Sequence, residues 1–282
     1  PNPNPNPNPN PNWLLSGTRD FGPAGGHRGG VHRARCWLVA AGSHSNVLQN
    51  VYFGLDRGLS DGGVQTVVGN WHAFAAVKVD GSVVTWGYGD TGGDSAMVSL
   101  QLSSGVKSIH VYGDGQIFAA LKTDGSLITW GNQDRGGDSS SVASQLAMNV
   151  SKVFSTHSNQ FGDSGNGHDD AFAALKTNGS VVTWGSQAQG GDSSSVTSQL
   201  SSNVIDIAST GGAFAALKAD GSVITWGNAD RGGDSSAVAA SLTGNVVEIF
   251  SNHSSFAALK LDGSLVTWGS EQIGGDSSSV AS

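Results

Sequence analysis

Cysteine is almost absent from this chain, which has Cys36 as the single example among 282 residues. One cysteine excludes an internal disulfide framework and any zinc site built from several cysteine thiolates. It is compatible with an intracellular compartment, but the sequence leaves the compartment open, since neither a secretory signal nor an initiator methionine is seen. No apolar run reaches the roughly 20 residues that a membrane-spanning helix needs.

Charged residues are also scarce: they make up 13% of the chain, about half the usual share. Lys and Arg number 14 against 22 Asp and Glu, for a net charge of −8. This balance argues against direct binding of nucleic acid, which needs clustered basic residues. A local basic cluster does occur near the N-terminus, and we interpret it as part of an irregular arm; it comprises Arg19, Arg28, Arg33 and Arg35.

Glycine is abundant, with 42 residues or about twice the usual share. Together with Val, Thr, Trp and Ser it favours strands and tight turns, so the composition predicts an all-β fold. The chain opens with six Pro-Asn dipeptides over residues 1–12, which can form neither helix nor sheet ladder. Residues 13–35 are rich in Gly and Arg and are expected to be irregular too.

A repeat follows, marked by five copies of a strand-like element that ends in Trp-Gly, such as "VVTWG" at 83–87 and "VITWG" at 223–227. The spacings between the tryptophans are 44, 54, 42 and 42 residues, so the unit has about 42 residues and one unit carries 12 more. A period of this size is typical of a solenoid, a propeller or an array. We predict a structural role for the repeated tryptophans, which are Trp86, Trp130, Trp184, Trp226 and Trp268.

One unit, residues 204–245, contains three strand-like segments, "VIDIAS", "AFAALK" and "SVITWG". An Asp-Gly or Asn-Gly pair between the last two predicts a tight hairpin turn with positive φ at both turn positions. After Trp-Gly, each unit has an Asp placed as the N-cap of a short helical turn, although a short fourth strand is the alternative. We predict a structural role for these residues, which are Asp94, Asp138, Asp192, Asp234 and Asp276.

The segment "FAALK" is apolar on both faces, as a strand between two layers must be. This favours a β-propeller, in which every blade packs against two neighbours. Residues 64–282 supply five clear blades, with an insertion at about 159–170, and residues 36–63 are a possible degenerate sixth. The number of blades and the closure of the ring are left open.

The stretch "FAALKTDGSLITWG" at 118–131 resembles the repeat of the regulator-of-chromosome-condensation propeller family. The resemblance covers about residues 64–282 and implies a propeller that docks proteins, small GTPases among them, with nucleotide exchange on a small GTPase as one implied activity. Three features depart from the family pattern. The unit is shorter than the family's, and "GGDSS" stands where the family has Gly-x-Leu-Gly. The family often has His seven residues before the turn Asp, and the residues at those positions here are Ala73, Ile117, Ala171, Ala213 and Ser255.

The stretch "HSNQFGDSGNGHDD" at 157–170, which contains the insertion, is the one part of the chain that suggests chemistry. Its "GDSG" matches the string around a chymotrypsin-like nucleophile, but no other part of the chain resembles such a protease. The oxygen and nitrogen atoms of its side chains make weak metal-ligand candidates, without the spacing of a known calcium or zinc loop. These candidates are His157, Asp163, His168, Asp169 and Asp170.

The links between the first and second strand vary most from unit to unit and should share one rim of the propeller. Varied loops on a constant scaffold are where binding is usually found. The residues predicted to form a binding surface there are Trp71, His72, Tyr112, Asp114, His157, Phe161, His168 and His253.

The sequence therefore predicts a non-enzymatic scaffold that binds other proteins, with no catalytic residues and no cofactor. A structural subunit of a larger complex, a regulator that acts on a small GTPase, and a metal or hydrolytic site in residues 157–170 are the alternatives. Convergent acids and histidines in a central pocket would favour an enzyme.

Overall fold

In the computed structural model, the described residues are 63–112, 115–156 and 170–278, and they form five three-stranded antiparallel sheets that follow one another along the chain. We call each sheet a blade. Every blade is a simple meander in which the first strand pairs with the second and the second with the third. The predictions of an all-β fold, of a β-propeller and of five clear blades are confirmed.

The strands have nearly the same lengths in every blade. Blade 1 comprises β1 (Val64–Gly69), β2 (Ala73–Lys78) and β3 (Val83–Gly87); blade 2, β4 (Val106–Tyr112), β5 (Ile117–Lys122) and β6 (Leu127–Gly131); blade 3, β7 (Val150–Ser155), β8 (Ala171–Lys176) and β9 (Val181–Gly185); blade 4, β10 (Val204–Ser209), β11 (Ala213–Lys218) and β12 (Val223–Gly227); and blade 5, β13 (Val246–Ser251), β14 (Ser255–Lys260) and β15 (Leu265–Gly269).

The Asp-Gly hairpins form, but with a turn one residue longer than predicted. In blade 2 the amide of Gly125 donates to the carbonyl of Lys122, and the amide of Lys122 donates to the carbonyl of Ser126. Only the glycine takes a positive φ, 78° in this blade. This is a type I turn closed by a glycine bulge. The Asp124 carboxylate accepts hydrogen bonds from the amide and the hydroxyl of Ser126, and Asp124 itself keeps a negative φ.

The connectors from one blade to the next contain short helical turns and no fourth strand among the described residues. Nearly all are 3-10 turns, and α1 (Ala143–Leu146) is a single α-helical turn. The 3-10 turns span Gly89–Thr91, Ala96–Val98, Gln101–Ser103, Gln133–Arg135, Ser140–Val142, Gln187–Gln189, Ser194–Val196, Ala229–Arg231, Ser236–Leu242 and Glu271–Ile273. Each connector between two described blades buries one leucine under the sheets: Leu102, Leu146, Leu200 or Leu242.

Neighbouring blades meet in four joints of the same composition. Between blades 3 and 4, blade 3 contributes Ala171, Ala173 and Leu175 from the face with small side chains. Phe214 and Trp226, on the aromatic face of blade 4, pack against them. The same pairing fills the other three joints. The Phe and Trp of each blade stack on each other, with ring centroids 5.2 Å apart in blade 4. Each joint therefore matches a bulky aromatic face to a flat alanine face.

Three kinds of hydrogen bond from the later blade to the earlier one recur at every joint. At the joint of blades 3 and 4, Trp226 Nε1 donates to the Gly190 carbonyl at 3.0 Å, the Val204 amide donates to the Gly179 carbonyl, and Lys218 Nζ donates to the Gln199 carbonyl. Equivalent bonds occur at the other joints. The tryptophan bond satisfies the buried indole donor at each joint.

Candidate functional site

The links between first and second strands lie on the same rim as the 3-10 turns that follow the third strands. In blade 1 the side chain of Asn70 holds both together. Its Oδ1 accepts the amides of His72 and Ala73, and its Nδ2 donates to the Thr91 carbonyl at 2.7 Å. Asn252 does the same in blade 5, and Thr210 does so in blade 4. We call this rim the link rim, and we call the opposite rim, which carries the Asp-Gly hairpins, the turn rim.

Adjacent links also contact each other along the link rim. The Gly211 amide of the fourth link donates to the His253 carbonyl of the fifth at 2.8 Å. Gly115 of the second link lies against the indole of Trp71, so closely that an added Cβ would stand 3.0 Å from the ring. The first and second links therefore form one continuous patch, as do the fourth and fifth.

Among the described residues, the most exposed aromatic group on the link rim belongs to blade 1. Trp71 is 72% exposed, and His72 beside it is exposed as well. Tyr88, 60% exposed, follows the Trp-Gly of β3, and its ring meets that of His72 edge to face with centroids 6.3 Å apart. Large aromatic side chains exposed on a hydrogen-bonded scaffold are typical of protein contact sites. Trp71, His72 and Tyr88 form what we call the aromatic corner.

Tyr88 was missed by sequence reasoning, although the repeat carries a signal for it. The residue after Trp-Gly is Asn or Ser in the other four units, and Tyr appears only in the first. Variation among the units pointed to the links, whereas position 88 lies in a connector on the same rim.

Tyr112, predicted to be part of the binding surface, lies in a joint between blades instead. Its ring packs edge to face on Phe172 with centroids 5.8 Å apart, and its hydroxyl donates to the Val153 carbonyl of the next blade at 3.3 Å. Burial raises the pKa of this hydroxyl to about 12. The prediction for Tyr112 is therefore corrected, because the residue ends β4 and its side chain turns toward blade 3.

His253 lies on the link rim but is half-buried, with Nδ1 2.9 Å from the Ser254 hydroxyl. Asp170, one of the weak metal candidates, is fully buried at the end of the third link, where its carbonyl accepts the Ser186 amide. The remaining predicted binding and metal residues lie outside the described residues: Asp114, His157, Phe161, Asp163, His168 and Asp169.

The repeated tryptophans occupy joints in four of the five blades. Trp130, Trp184, Trp226 and Trp268 are buried, whereas Trp86 of blade 1 is half-buried. The repeated aspartates lie beside the predicted N-cap position rather than on it: in blades 1 to 4 each stands one residue before the N-cap of the second 3-10 turn. All five accept the amide two residues later at 2.8 Å, as Asp138 does from Ser140. These bonds lower the pKa of Asp138, Asp192, Asp234 and Asp276.

Two shallow cavities lie along the first strands, one of about 310 Å³ between blades 2 and 3 and one of about 250 Å³ across blades 3 to 5. Lys152 lines both, and its Nζ lies 3.0 Å from Asp206 in an exposed ion pair. Within the described ranges, no three His, Cys, Asp or Glu side chains are grouped as a metal site. Nor does any described helix have the length and apolar character needed to cross a membrane.

Comparison with known proteins gives structural likeness only. No protein-family model matches the chain, and no curated protein sequence matches it. Similar solved structures include human WBSCR16 (19% identity, 73% of this chain and 61% of that one, TM-score 0.39) and the Physcomitrella patens receptor kinase CR4 ectodomain (15%, 73% and 50%, 0.37). Yeast RCC1 (Prp20), in a structure bound to Kap60, is similar at 18% identity over 73% of this chain and 56% of that one, with a TM-score of 0.39.

The chain thus spans about half to three-fifths of the length of these structures. TM-scores below 0.5 do not decide between propeller families. The assignment of the fold depends on the five described blades.

Proposed function

We propose that this protein is a non-enzymatic scaffold that binds other proteins through its link rim, with the aromatic corner of blade 1 as the main contact. The observation that carries the proposal is the exposure of Trp71, His72 and Tyr88 together on one rim. Tryptophan and tyrosine are enriched among the residues that dominate binding energy at protein interfaces.

The scaffold beneath the aromatic corner is fixed, which supports a binding role. Asn70 makes three hydrogen bonds that set the path of the first link, and the Tyr88 amide donates to the His72 carbonyl at 2.9 Å. A surface whose backbone is already ordered loses little entropy on binding. The chain's charge of −8 favours partners with a basic contact surface.

The test is photo-crosslinking from position 71 compared with position 79. Val79 is the matched control, because it belongs to the same blade, is 74% exposed, and lies on the turn rim rather than the link rim. Each position receives a benzoylphenylalanine in the full chain, and the crosslinked proteins from source-cell extract are identified by mass spectrometry. We expect specific partners at position 71 that are absent at position 79.

A second arm uses Trp71→Ala and Val79→Ala with any partner so identified. Loss of a central aromatic residue from an interface costs at least about 2 kcal/mol, or some 30-fold in Kd. Equal affinity of the two variants would place the contact elsewhere and reject the aromatic corner as the binding site.

The assignment to the regulator-of-chromosome-condensation type, and with it an action on a small GTPase, remains a proposal. The Asp-Gly hairpins and the Trp-Gly strands support it. A pull-down with GTPases in the nucleotide-free state would test it, and binding to none of them would count against it. The division into residues 1–12, 13–35, a possible blade at 36–63 and repeats at 64–282 is likewise proposed, since residues 1–62 lie outside the described ranges.

A further inference from the structure

The first connector, residues 88–105 between blades 1 and 2, carries two large apolar side chains on the side that faces solvent. Its backbone is helical over residues 96–103, because the two residues between its 3-10 turns also have right-handed helical dihedral angles. Met97 and Leu100 are three positions apart on this backbone and therefore lie on the same side of it. Their exposed fractions are 89% and 87%. We call this pair the connector patch.

The opposite side of the same connector supplies the packing that the fold requires. Val98 and Leu102 belong to the core of the joint between blades 1 and 2. In the second connector, Val142 and Leu146 occupy the equivalent places in the next joint. The connector patch is thus additional to the residues that hold the blades together.

The repeat provides an internal comparison for the connector patch. The two solvent-facing positions are exposed in all four connectors between described blades, so their exposure belongs to the position and not to a missing neighbour. Only the first connector fills them with large apolar side chains. Their counterparts are Ser141 and Ser144, Ser195 and Ser198, and Ala237 and Ala240.

This difference between the connectors points to binding. Serine and alanine at these positions show that folding does not need Met97 or Leu100. Isolated exposed apolar residues are ordinary, whereas two large ones side by side on an ordered backbone are typical of a contact surface. Methionine in particular adapts its shape to different partners.

The charges around the connector patch indicate what kind of partner fits it. Residues 79–106 include three aspartates and no lysine or arginine. Asp90 and Asp94 are exposed on the first connector itself. Thr91 stands where the second and fourth connectors have an arginine. An apolar pair in acidic surroundings favours a cationic partner and repels anionic lipid and nucleic acid.

We propose that the connector patch docks a partner protein through a segment that presents apolar side chains between lysines or arginines. This surface lies apart from the link rim. Ser95, two residues before Met97, is bonded to Thr85 in the middle of β3. The Gln101 carbonyl, one residue after Leu100, accepts a hydrogen bond from Lys122 near the turn rim. The contact is therefore a second one, and it does not depend on the aromatic corner.

The test measures binding of synthetic peptides to the full chain by fluorescence anisotropy. The probe is a peptide of leucine and lysine in amphipathic helical order, with the roughly 15 residues that a helix needs in water. One control peptide has glutamate in place of lysine, and the other has the same leucines and lysines in scrambled order. We expect the amphipathic lysine peptide to bind more tightly than both.

Substitutions taken from the other connectors locate the binding site. Met97→Ser combined with Leu100→Ser gives the first connector the residues of the second, so the fold is kept and the affinity for the lysine peptide should fall about tenfold or more. Leu261→Ser is the matched control, because Leu261 is 76% exposed on the hairpin of blade 5. This control should bind as the original chain does.

The reverse transfer tests sufficiency. Ser195→Met combined with Ser198→Leu builds the same pair on the third connector, next to Asp192, and should add a second site for the lysine peptide. Urea unfolding of every variant checks that it is folded.

The acidic surroundings are tested separately. Asp90→Asn combined with Asp94→Asn removes two charges, and an asparagine at position 94 can still accept the Ala96 amide as Asp94 does at 2.8 Å. We expect weaker binding of the lysine peptide and a smaller dependence of that binding on salt.

Four results would overturn the proposal. The serine double variant could bind the lysine peptide as tightly as the original chain. The lysine and glutamate peptides could bind equally well. Analytical ultracentrifugation could show that the original chain self-associates and the serine double variant does not, which would make a second copy the occupant. Vesicles of phosphatidylcholine and phosphatidylserine could bind the original chain and not the variant, which would make a membrane the occupant.

Discussion

The glycine that ends the first 3-10 turn of each connector has two functions at the scale of a single residue. Its positive φ, 92° at Gly136, closes the turn, and its missing side chain leaves room for the phenylalanine ring of the next blade. Both constraints apply at four connectors. At Gly274 only the first applies, because no described blade follows.

We therefore predict that Gly136→Ala destabilises the protein more than Gly274→Ala. Both substitutions strain a backbone with φ above 90°, at a cost of about 1 kcal/mol or more. At Gly136 the added Cβ would also collide with the Phe172 ring, and overpacking adds about 1–3 kcal/mol. Urea unfolding monitored by tryptophan fluorescence measures the difference, and equal losses in the two variants would contradict the packing role of Gly136.

The hairpin aspartates predict a dependence of stability on pH. Hydrogen bonds from the Ser126 hydroxyl and amide lower the pKa of Asp124 below its ordinary value of 3.8, and Asp80, Asp220 and Asp262 are lowered in the same way. A lowered pKa in the folded state means that the stabilisation is present above pH 3.8 and is lost as the pH falls through the folded-state pKa.

Asn178 offers a natural reference, since its Oδ1 accepts the same two bonds from Ser180 and does not titrate. Replacing the four aspartates by asparagine should keep the turns and reduce the loss of stability between pH 5 and pH 2.5. The urea midpoint of both proteins across this range is the measurement. Parallel curves would show that the hairpin carboxylates contribute nothing to the acid sensitivity.

The sequence predicted the hairpin residues correctly and their turn geometry incorrectly. Asp-Gly indicates a reversal, but whether Asp takes a positive φ depends on where its carboxylate is used, and Ser126 supplies the deciding partner two residues later. The serine was visible in the sequence in all five copies. The role of this serine could not be predicted, because a hydroxyl next to a turn can bond to several different groups and the sequence does not show which of them it meets.

At the scale of the structural element, the links show how one scaffold tolerates unequal insertions. In blade 4 the Thr210 hydroxyl accepts the Ala213 amide, with two residues between them. In blade 3 the Thr156 hydroxyl accepts the Ala171 amide at 2.9 Å, with residues 157–170 between them. The same hydrogen bond, from the first amide of the second strand to a threonine hydroxyl, therefore closes the base of the long third link and of the short fourth link.

We predict that replacing residues 157–169 by one glycine leaves the fold intact. Asp170 is kept because it is fully buried and its carbonyl holds Ser186. Shortening the link from 14 residues to 2 lowers the entropy cost of closing it, so the variant should be more stable by about 1–2 kcal/mol. The measurement is the free energy of unfolding in urea, and a large loss of stability would show that the insertion is part of the core.

The location of the candidate site could be predicted from the sequence better than the residues that form it. Variation among the units pointed to the link rim and to Trp71 and His72, because varied positions on a constant scaffold are visible in a repeat. Tyr112 was assigned wrongly, since the last residue of β4 was counted as link, and one position decides whether a side chain faces a joint or the solvent. Tyr88 was missed because it lies far from the links in sequence and meets them only through the pairing of β2 and β3.

At the scale of the whole molecule, the four joints predict a gradient of local stability. Interior blades are covered on both faces, whereas blades 1 and 5 each leave a face open among the described residues. In repeat architectures, local opening follows the number of neighbours that a unit contacts.

Amide hydrogen exchange measured by mass spectrometry should therefore be slowest in β8 and β11, the middle strands of blades 3 and 4. It should be faster in β2 and β14, the middle strands of the terminal blades. Residues 117–122 in β5 serve as an interior control, since blade 2 is also covered on both faces. Uniform exchange across all five blades would mean that the whole array opens as one cooperative unit.

The sameness of the joints has a consequence for how such a chain changes over generations. Blade 3 presents Ala171 and Ala173 to blade 4, and blade 4 presents Ala213 and Ala215 to blade 5 at the same positions; blade 2 presents Ile117 and Ala119 to blade 3. A duplication or loss of one whole unit would therefore leave every surviving neighbour with a surface that it already fits. A chain built in this way can gain or lose a blade in a step of about 42 residues with its joints preserved, and the 12 extra residues of the third unit fit because Thr156 and Ala171 close the link at its base.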